Sequence, residues 1–263
     1  MKAAQRRRWL GCMAHSVGAA AVLAVAAPVD VLARAGTAPR TLRAVALAIP
    51  PYAMLDATGR KTGLFVEALD LIARESRHPI EITLAPYARA MAMLRSGAAD
   101  LMIATSNSAI AESAEPMGML WATEVVAIGR SGLKLDGLQD LRGRTVGMLR
   151  GTDYGAAFLG EHEYRKHEIT DQLQGIRMLM EGRLDASIGT TLAVFHAIRL
   201  LGVPRARLGG TLAVQSREVH LHLSRHNADE ALATELRRAV QELRSSGKAD
   251  GLLAKYLAGL PSA

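Results

Sequence analysis

Gly151-Thr152-Asp153 falls between a strand-like run, residues 145–149, and a helical segment starting at Thr152 or Asp153. At such a junction free backbone N–H groups and the threonine hydroxyl can hold an anionic or carbonyl oxygen. The same residues can instead cap the helix without any ligand, and the two roles are compatible. Arg89 stands on the first turn of another helical segment, where the helix dipole disfavours a cation. Either an anionic ligand group explains it or it is solvated at the surface. Other patterns fall short of chemistry. His162-Glu163 and His167 have the residue types of a zinc-protease helix, but the histidines are five apart and leave a common helix face. His220 and His222 could share one side of a strand and take a metal as a pair, with His226 nearby. No carboxylate stands at a clear spacing, and they read as surface histidines of a strand. Residues 147–155 are glycine-rich but lack the G-K-[ST] ending of a phosphate loop, and no G-x-S-x-G nucleophile element occurs.

The elements that must position these residues alternate. An extended run over 42–49 ends at Pro50-Pro51-Tyr52, and Gly63 opens a segment whose Val66, Leu69, Ile72 and Ala73 fall at helical spacing. Pro86 stops a second extended run, 80–84; residues 88–95 form a helix ended by Gly97, and 101–104 a short buried strand. Residues 108–116, rich in small and polar side chains, read as a loop. Residues 124–128 are extended, 171–180 helical and 186–188 a strand. Asn227 with Glu230 makes a capping box for a helix with a Leu232, Leu236, Val240 and Leu243 stripe. A further helix is closed by Gly259 and Pro261. The alternation predicts an α/β fold with helices on the faces of a sheet.

Several ordered pieces together resemble a known family. They are Pro50-Pro51-Tyr52, the G-x-x-V-E-x-L at Gly63, Pro86-Tyr87 with Arg89-Ala90, and the L-x-x-G-x-x-D ending at Asp100. Further on come residues 140–147 with Gly151-Thr152, Glu181-Gly182-Arg183-Leu184-Asp185-Ala186, and Ser245-Ser246-Gly247 with Lys255-Tyr256-Leu257. This series is similar to the bacterial extracellular solute-binding proteins of family 3, periplasmic receptors for amino acids and related polar solutes. The resemblance implies a two-lobed type II periplasmic binding protein fold with a ligand cleft between lobes. Lobe 1 would comprise residues 40–122 plus 214–263 and lobe 2 residues 126–211, the chain crossing near 124–129 and returning near 212–223.

By the same resemblance Tyr52 and Tyr87 line the cleft, although either ring could instead pack in the core or at its edge. Thr105, Ser106 and Asn107 fall where the family supplies hydrogen-bonding groups, and Thr152 is the leading ligand contact. The ligand-binding set is then Tyr52, Tyr87, Arg89, Thr105, Asn107, Thr152, Asp153 and Thr190. Two departures stand out. Where amino-acid-binding members carry an arginine for the ligand carboxylate, an ungapped count from Asp100 reaches Glu112; where they hold the ammonium with an acid, the count from Asp185 reaches Thr190. A desolvated charge without a partner is costly, so a standard α-amino acid is not the expected ligand. Glu112 and Asp153 would make the cleft attractive to an amine or quaternary ammonium.

Before the mature chain, Lys2 and Arg6-Arg7-Arg8 form a basic region, residues 18–28 an Ala/Val-rich stretch and Ala33-Arg34-Ala35 a cleavage-like site. Residues 1–35 read as an export signal, twin-arginine or general, and the expected location is the periplasm. Cys12 is the one cysteine and lies in this leader, so the mature chain has no disulfide, thiolate metal site or cysteine nucleophile. The leader takes five of the 32 basic and one of the 25 acidic residues, leaving 27 and 24, a net charge of +3. A nucleic-acid partner thereby loses its support.

The resemblance, together with the leader, therefore implies a non-enzymatic, monomeric receptor for a small polar solute, with a membrane ABC permease as partner and neither cofactor nor metal. The alternatives are a dehydratase-like enzyme on the same fold or a periplasmic accessory protein of a dehydrogenase or sensor.

Overall fold

The computed structural model describes residues 39–152, 154 and 164–260. Its first elements are β1 (Leu42–Leu47), a small ladder of β2 (Met54–Leu55) with β3 (Lys61–Thr62), α1 (Leu64–Ser76), β4 (Ile80–Ala85), α2 (Tyr87–Arg95), β5 (Leu101–Thr105) and α3 (Ser108–Ser113). β1 runs parallel to β4 on one side and β5 on the other. It is buried at every position but Arg43, as expected for a parallel strand covered on both faces. The side-chain period of two sends Leu42, Ala44, Leu101 and Ile103 into a core shared with α1. It sends Val45, Leu47, Met102 and Ala104 into a second core with Met91 and Leu94 of α2 and Ile110 of α3.

Two strands of 17 residues each, β6 (Ala114–Arg130) and β10 (Leu208–Ser224), pair antiparallel over most of their length. Beyond them lies a second parallel block: β7 (Thr145–Leu149), β8 (Arg165–Ile169) and β9 (Ala186–Thr190). With α4 (Gln172–Met180) and α5 (Thr191–Leu200) it encloses a separate core of Val146, Met148, Ile176, Leu179, Ile188 and Phe195. The eight-stranded sheet runs β4-β1-β5-β10-β6-β9-β7-β8, so the long pair joins two α/β blocks. The last helices, α6 (Glu230–Ser245) and α7 (Lys248–Leu257), return to the first core through Leu232, Leu236, Val240, Leu243 and Ala249.

Two aspartates from the quoted motifs staple the blocks internally. Asp100 accepts from the Arg43 backbone N–H at 2.7 Å, from Arg43 Nε at 3.2 Å and Nη2 at 3.0 Å, and from Asn227 Nδ2 at 2.7 Å. Burial alone would raise its pKa, but these donors outweigh it and hold the carboxyl below the ordinary range. In the second block Asp185 accepts from Arg130 Nε and the Thr145 N–H, each at 2.9 Å, tying β6 and β7 to the start of β9.

Several expectations change. Residues 108–113 are a helix, capped by Asn107 Oδ1 accepting from the Ile110 N–H at 2.9 Å, and 114–116 already belong to β6. The cap of α6 is Asp229, which accepts from the Leu232 N–H at 2.8 Å. Asn227 instead spends its amide on Gly97 O and Asp100. β8, with the polar sequence RKHEI, is an edge strand with one buried residue, and polar edges carry no apolar alternation to read. The leader, the helix expected from residue 152 or 153, and His162 with Glu163 lie outside the described residues. Among the described residues no helix is long and apolar enough to cross a membrane.

Candidate functional site

The chain leaves β1 through Ile49 and the two prolines, and Gly63 fixes the approach of α1 to this turn. Its φ of 123° lies in the region open to glycine, and a Cβ there would sit 2.5 Å from Tyr52 O and 2.7 Å from Pro51 O. Those two carbonyls accept from Phe65 N at 2.8 Å and Leu64 N at 3.0 Å, starting α1 directly against the Tyr52 turn. Tyr52 is thereby pinned, its ring 4.6 Å from that of Phe65. Its hydroxyl reaches the end of β9 in the other block and donates to Thr190 Oγ1 at 2.6 Å. Burial pushes the phenol up to about 12, against hydrogen bonds to Thr190 and Thr123, so it stays a neutral donor.

Around this bridge lies a cleft of about 100 Å³. The first block contributes Leu47, Ile49, Tyr52, Phe65, Tyr87, Ala104, Thr105, Asn107 and Ile110; the second contributes Leu149, Thr152, Tyr154, Gln172, Gly189, Thr190 and Ala193; Thr123 and Val219 come from the long strands. Asn107 Nδ2 donates to the Tyr87 hydroxyl at 3.2 Å, which leaves the phenol proton for another acceptor. Gly151, at φ 75°, lets the chain turn beneath Tyr87, whose Cδ1 would lie 3.3 Å from an added Cβ. Tyr154 is buried, its hydroxyl accepting from the Leu149 N–H at 3.2 Å, and burial raises its pKa. Gln172 Nε2 donates to Ile188 O at 3.0 Å, lying so close over Gly189 that a Cβ there would collide with the amide.

Of the expected ligand residues, Tyr52, Tyr87, Thr105, Asn107, Thr152 and Thr190 meet on this one cleft. Arg89 does not: it is exposed on α2 and absent from the lining, as is the exposed Glu112 on α3. Asp153 lies outside the described residues. Tyr52 combines the two roles the sequence left open, since it is 7% exposed within the core and still lines the cleft. Sequence reasoning missed Phe65, Thr123, Tyr154 and Gln172. Gly189, an isolated glycine in a strand pattern, was the one local sign that a side chain crowds the backbone there. Every described lining residue is neutral, so the cleft offers aromatic faces, hydroxyls and amides. Such a surface suits a small amphipathic solute.

The same architecture occurs in solved structures. The substrate binding protein of an amino acid ABC transporter is 17% identical, with a TM-score of 0.69 over 82% of this chain and 98% of that one. A histidine kinase sensor domain with similarity to periplasmic binding proteins is 21% identical, with a TM-score of 0.71 over 85% and 99%. An ancestral amino acid-binding protein, precursor of cyclohexadienyl dehydratase, is 16% identical, with a TM-score of 0.69 over 82% and 94%. At these identities the likeness establishes the fold, a two-lobed periplasmic binding protein with its cleft between lobes. No curated protein matches the sequence. The model of the bacterial extracellular solute-binding proteins, family 3, matches residues 43–259, and the chain belongs to that family.

Proposed function

We propose that the chain is an exported, monomeric receptor that captures a small polar solute other than a standard α-amino acid and presents it to a membrane ABC permease. Residues 40–122 with 214–263 form one lobe and 126–211 the other, hinged at β6 and β10, and residues 1–35 direct export to the periplasm. The observation that carries this reading is the lining of the cleft. Tyr52, Tyr87, Thr105 and Asn107 face Thr152, Tyr154 and Thr190 across it, and no described lining residue is charged. A free α-amino acid would bury a carboxylate and an ammonium against hydroxyls and amides, at a cost of several kcal/mol for each charge left unpaired. Binding is favoured over dehydratase-like turnover because the described lining offers no carboxylate or imidazole for proton transfer, and the Tyr52 phenol sits at about 12, far from a working acid or base at neutral pH.

Thermal unfolding against a panel of α-amino acids, amines, quaternary amines, neutral amides and polyols, and aromatic acids tests the reading. A ligand at about 100 times its dissociation constant adds about 2.7 kcal/mol to stability. Stabilisation by members lacking the α-amino-acid zwitterion supports it. Equal stabilisation by common amino acids would overturn the ligand assignment. Silence across the panel, with the chain retained on a larger periplasmic complex, would shift the reading to an accessory or sensor role.

A further inference from the structure

An uncharged lining narrows the solute only to a neutral one; the hydrogen bonds already made around the cleft say which neutral chemistry fits. Both amide oxygens of the lining are engaged: Asn107 Oδ1 accepts from the Ile110 N–H at 2.9 Å, and Gln172 Oε1 from Ser187 Oγ at 3.5 Å. The Tyr87 oxygen accepts from Asn107 Nδ2 at 3.2 Å, and its own proton meets no acceptor among the described residues. Tyr52 has a single phenol proton, given to Thr190 Oγ1 at 2.6 Å, so its hydrogen bond with Thr123 uses the threonine's proton. Thr190 then accepts from Tyr52 and keeps its own proton. It occupies the N-cap position of α5, yet its side chain makes no capping hydrogen bond to that helix. Thr105, the last residue of β5, makes no side-chain hydrogen bond to a described residue. At Tyr87, Thr105 and Thr190 a hydroxyl proton therefore remains for whatever enters the cleft, and a hydroxyl rotates to suit its acceptor.

Resting on the receptor reading above, we propose that the cleft takes a small neutral solute that presents a carbonyl-type acceptor oxygen to these hydroxyls and a compact apolar frame to the rest of the wall. An acceptor oxygen finds a free proton on either block, on Tyr87 and Thr105 of the first and on Thr190 of the second. A solute rich in N–H groups fits less well, because the amide oxygens are engaged and only the same hydroxyl oxygens are left to receive it. The series from Thr123 through Tyr52 to Thr190 polarises each hydroxyl in turn, which strengthens the last one as a donor. A carboxylate would also meet these donors, but no described lining residue is charged, and a desolvated anion without a cation is costly. The frame is set by Leu47, Ile49, Phe65, Ile110, Leu149 and Val219, which make up the apolar wall. Its size follows from the cleft volume of about 100 Å³. An apolar cavity of about 150 Å³ holds benzene, so the cleft as it stands takes about four to six non-hydrogen atoms.

The test compares probes matched in size and branching: N,N-dimethylacetamide as the neutral acceptor, isobutyrate as the anion and isobutylammonium as the cation, with free valine as the zwitterion. The full chain carries Trp9→Phe, which leaves Trp121 as its one tryptophan. That ring lies 6.3 Å from Phe65, which in turn lies 4.6 Å from Tyr52, so its emission reports on the wall of the cleft. Emission titrations, checked by the shift in thermal unfolding, give the four affinities. We expect N,N-dimethylacetamide to bind at least about tenfold more tightly than the other three, tenfold being the effect of about one unpaired polar group. Tyr87→Phe and Thr190→Val each remove one free proton and should weaken it about two- to tenfold, while Arg89→Ala, outside the lining, should leave it unchanged. Tyr87→Phe keeps the ring, so the comparison survives if Thr190→Val folds poorly. Tighter binding of isobutyrate or isobutylammonium would overturn this inference and leave the receptor reading standing. Valine as the tightest probe would overturn both. No binding by any of the four, or an affinity for N,N-dimethylacetamide unmoved by Tyr87→Phe and Thr190→Val, would overturn this inference alone.

Discussion

Removing the hydroxyls that meet across the cleft measures whether the two blocks touch in solution as they do in the structure. Tyr52 Oη donates to Thr190 Oγ1 at 2.6 Å, and the same phenol is hydrogen-bonded to Thr123. Thr190→Val deletes the acceptor but leaves Thr123, so the buried phenol keeps a partner and the loss should be about 1 kcal/mol, short of the ~3 kcal/mol of a fully orphaned buried hydroxyl. Tyr52→Phe removes both hydrogen bonds and should cost about 1–2 kcal/mol. Because the two residues touch, the effects should not add: a double-mutant cycle should return a coupling of about 0.5–1.5 kcal/mol. Chemical denaturation of the four variants gives the cycle, with each kcal/mol corresponding to about 2–4 °C in Tm for a chain of this size. A coupling below about 0.3 kcal/mol, within the scatter of independent sites, would refute a formed bridge in the unliganded protein and mean that the cleft stands open there. A coupling that appears only with a stabilising solute present would assign the bridge to the closed, ligand-bound state.

Asp100→Ala should cost about 2–4 kcal/mol, below the cost of a fully buried ion pair because the Arg43 side chain is half exposed, and denaturant titration checks it. The native pKa of Asp100 is depressed, so its contribution is complete above the unfolded carboxyl pKa of about 4 and disappears as pH falls through the lower native value. The parent chain should accordingly lose stability below about pH 4 more steeply than Asp100→Asn. Gly63→Ala combines a positive φ with a backbone clash and should cost about 2–6 kcal/mol, read as a lower denaturation midpoint together with altered near-UV signal from the Tyr52–Phe65 pair. Asp229→Ala removes the α6 cap and should lower stability by about 1 kcal/mol, while Asn227→Ala should act through Asp100 instead, so that it loses its effect in an Asp100→Ala background.

The sequence by itself determined the class of fold and named six of the residues that line the cleft. Proline and glycine punctuation, with apolar runs of strand length and stripes of helical period, suffices to place β1, α1, β4, α2 and α6, because local conformation and burial pattern there agree. It also supplied Tyr52, Tyr87, Thr105, Asn107 and Thr190 as candidates through the family resemblance of the motifs around them, and Thr152 additionally through its place between a strand and a helical segment. Segments governed by partners distant in sequence were not legible. The polar edge β8 forms because β7 offers it a ladder, and α3 forms because Asn107 caps it while β6 takes up the chain beyond. The choice of Asp229 over Asn227 as cap depended on Asp100, 127 residues away, claiming the Asn227 amide. Only the tertiary structure decided that Tyr52 meets Thr190, that Arg89 and Glu112 stay outside the cleft, and that His222 is buried with its ring stacked on that of His220. The reason is common to all of them: periodicity tells which face of an element is covered, while the identity of the covering group is set by sheet order and register, which join residues far apart in the chain.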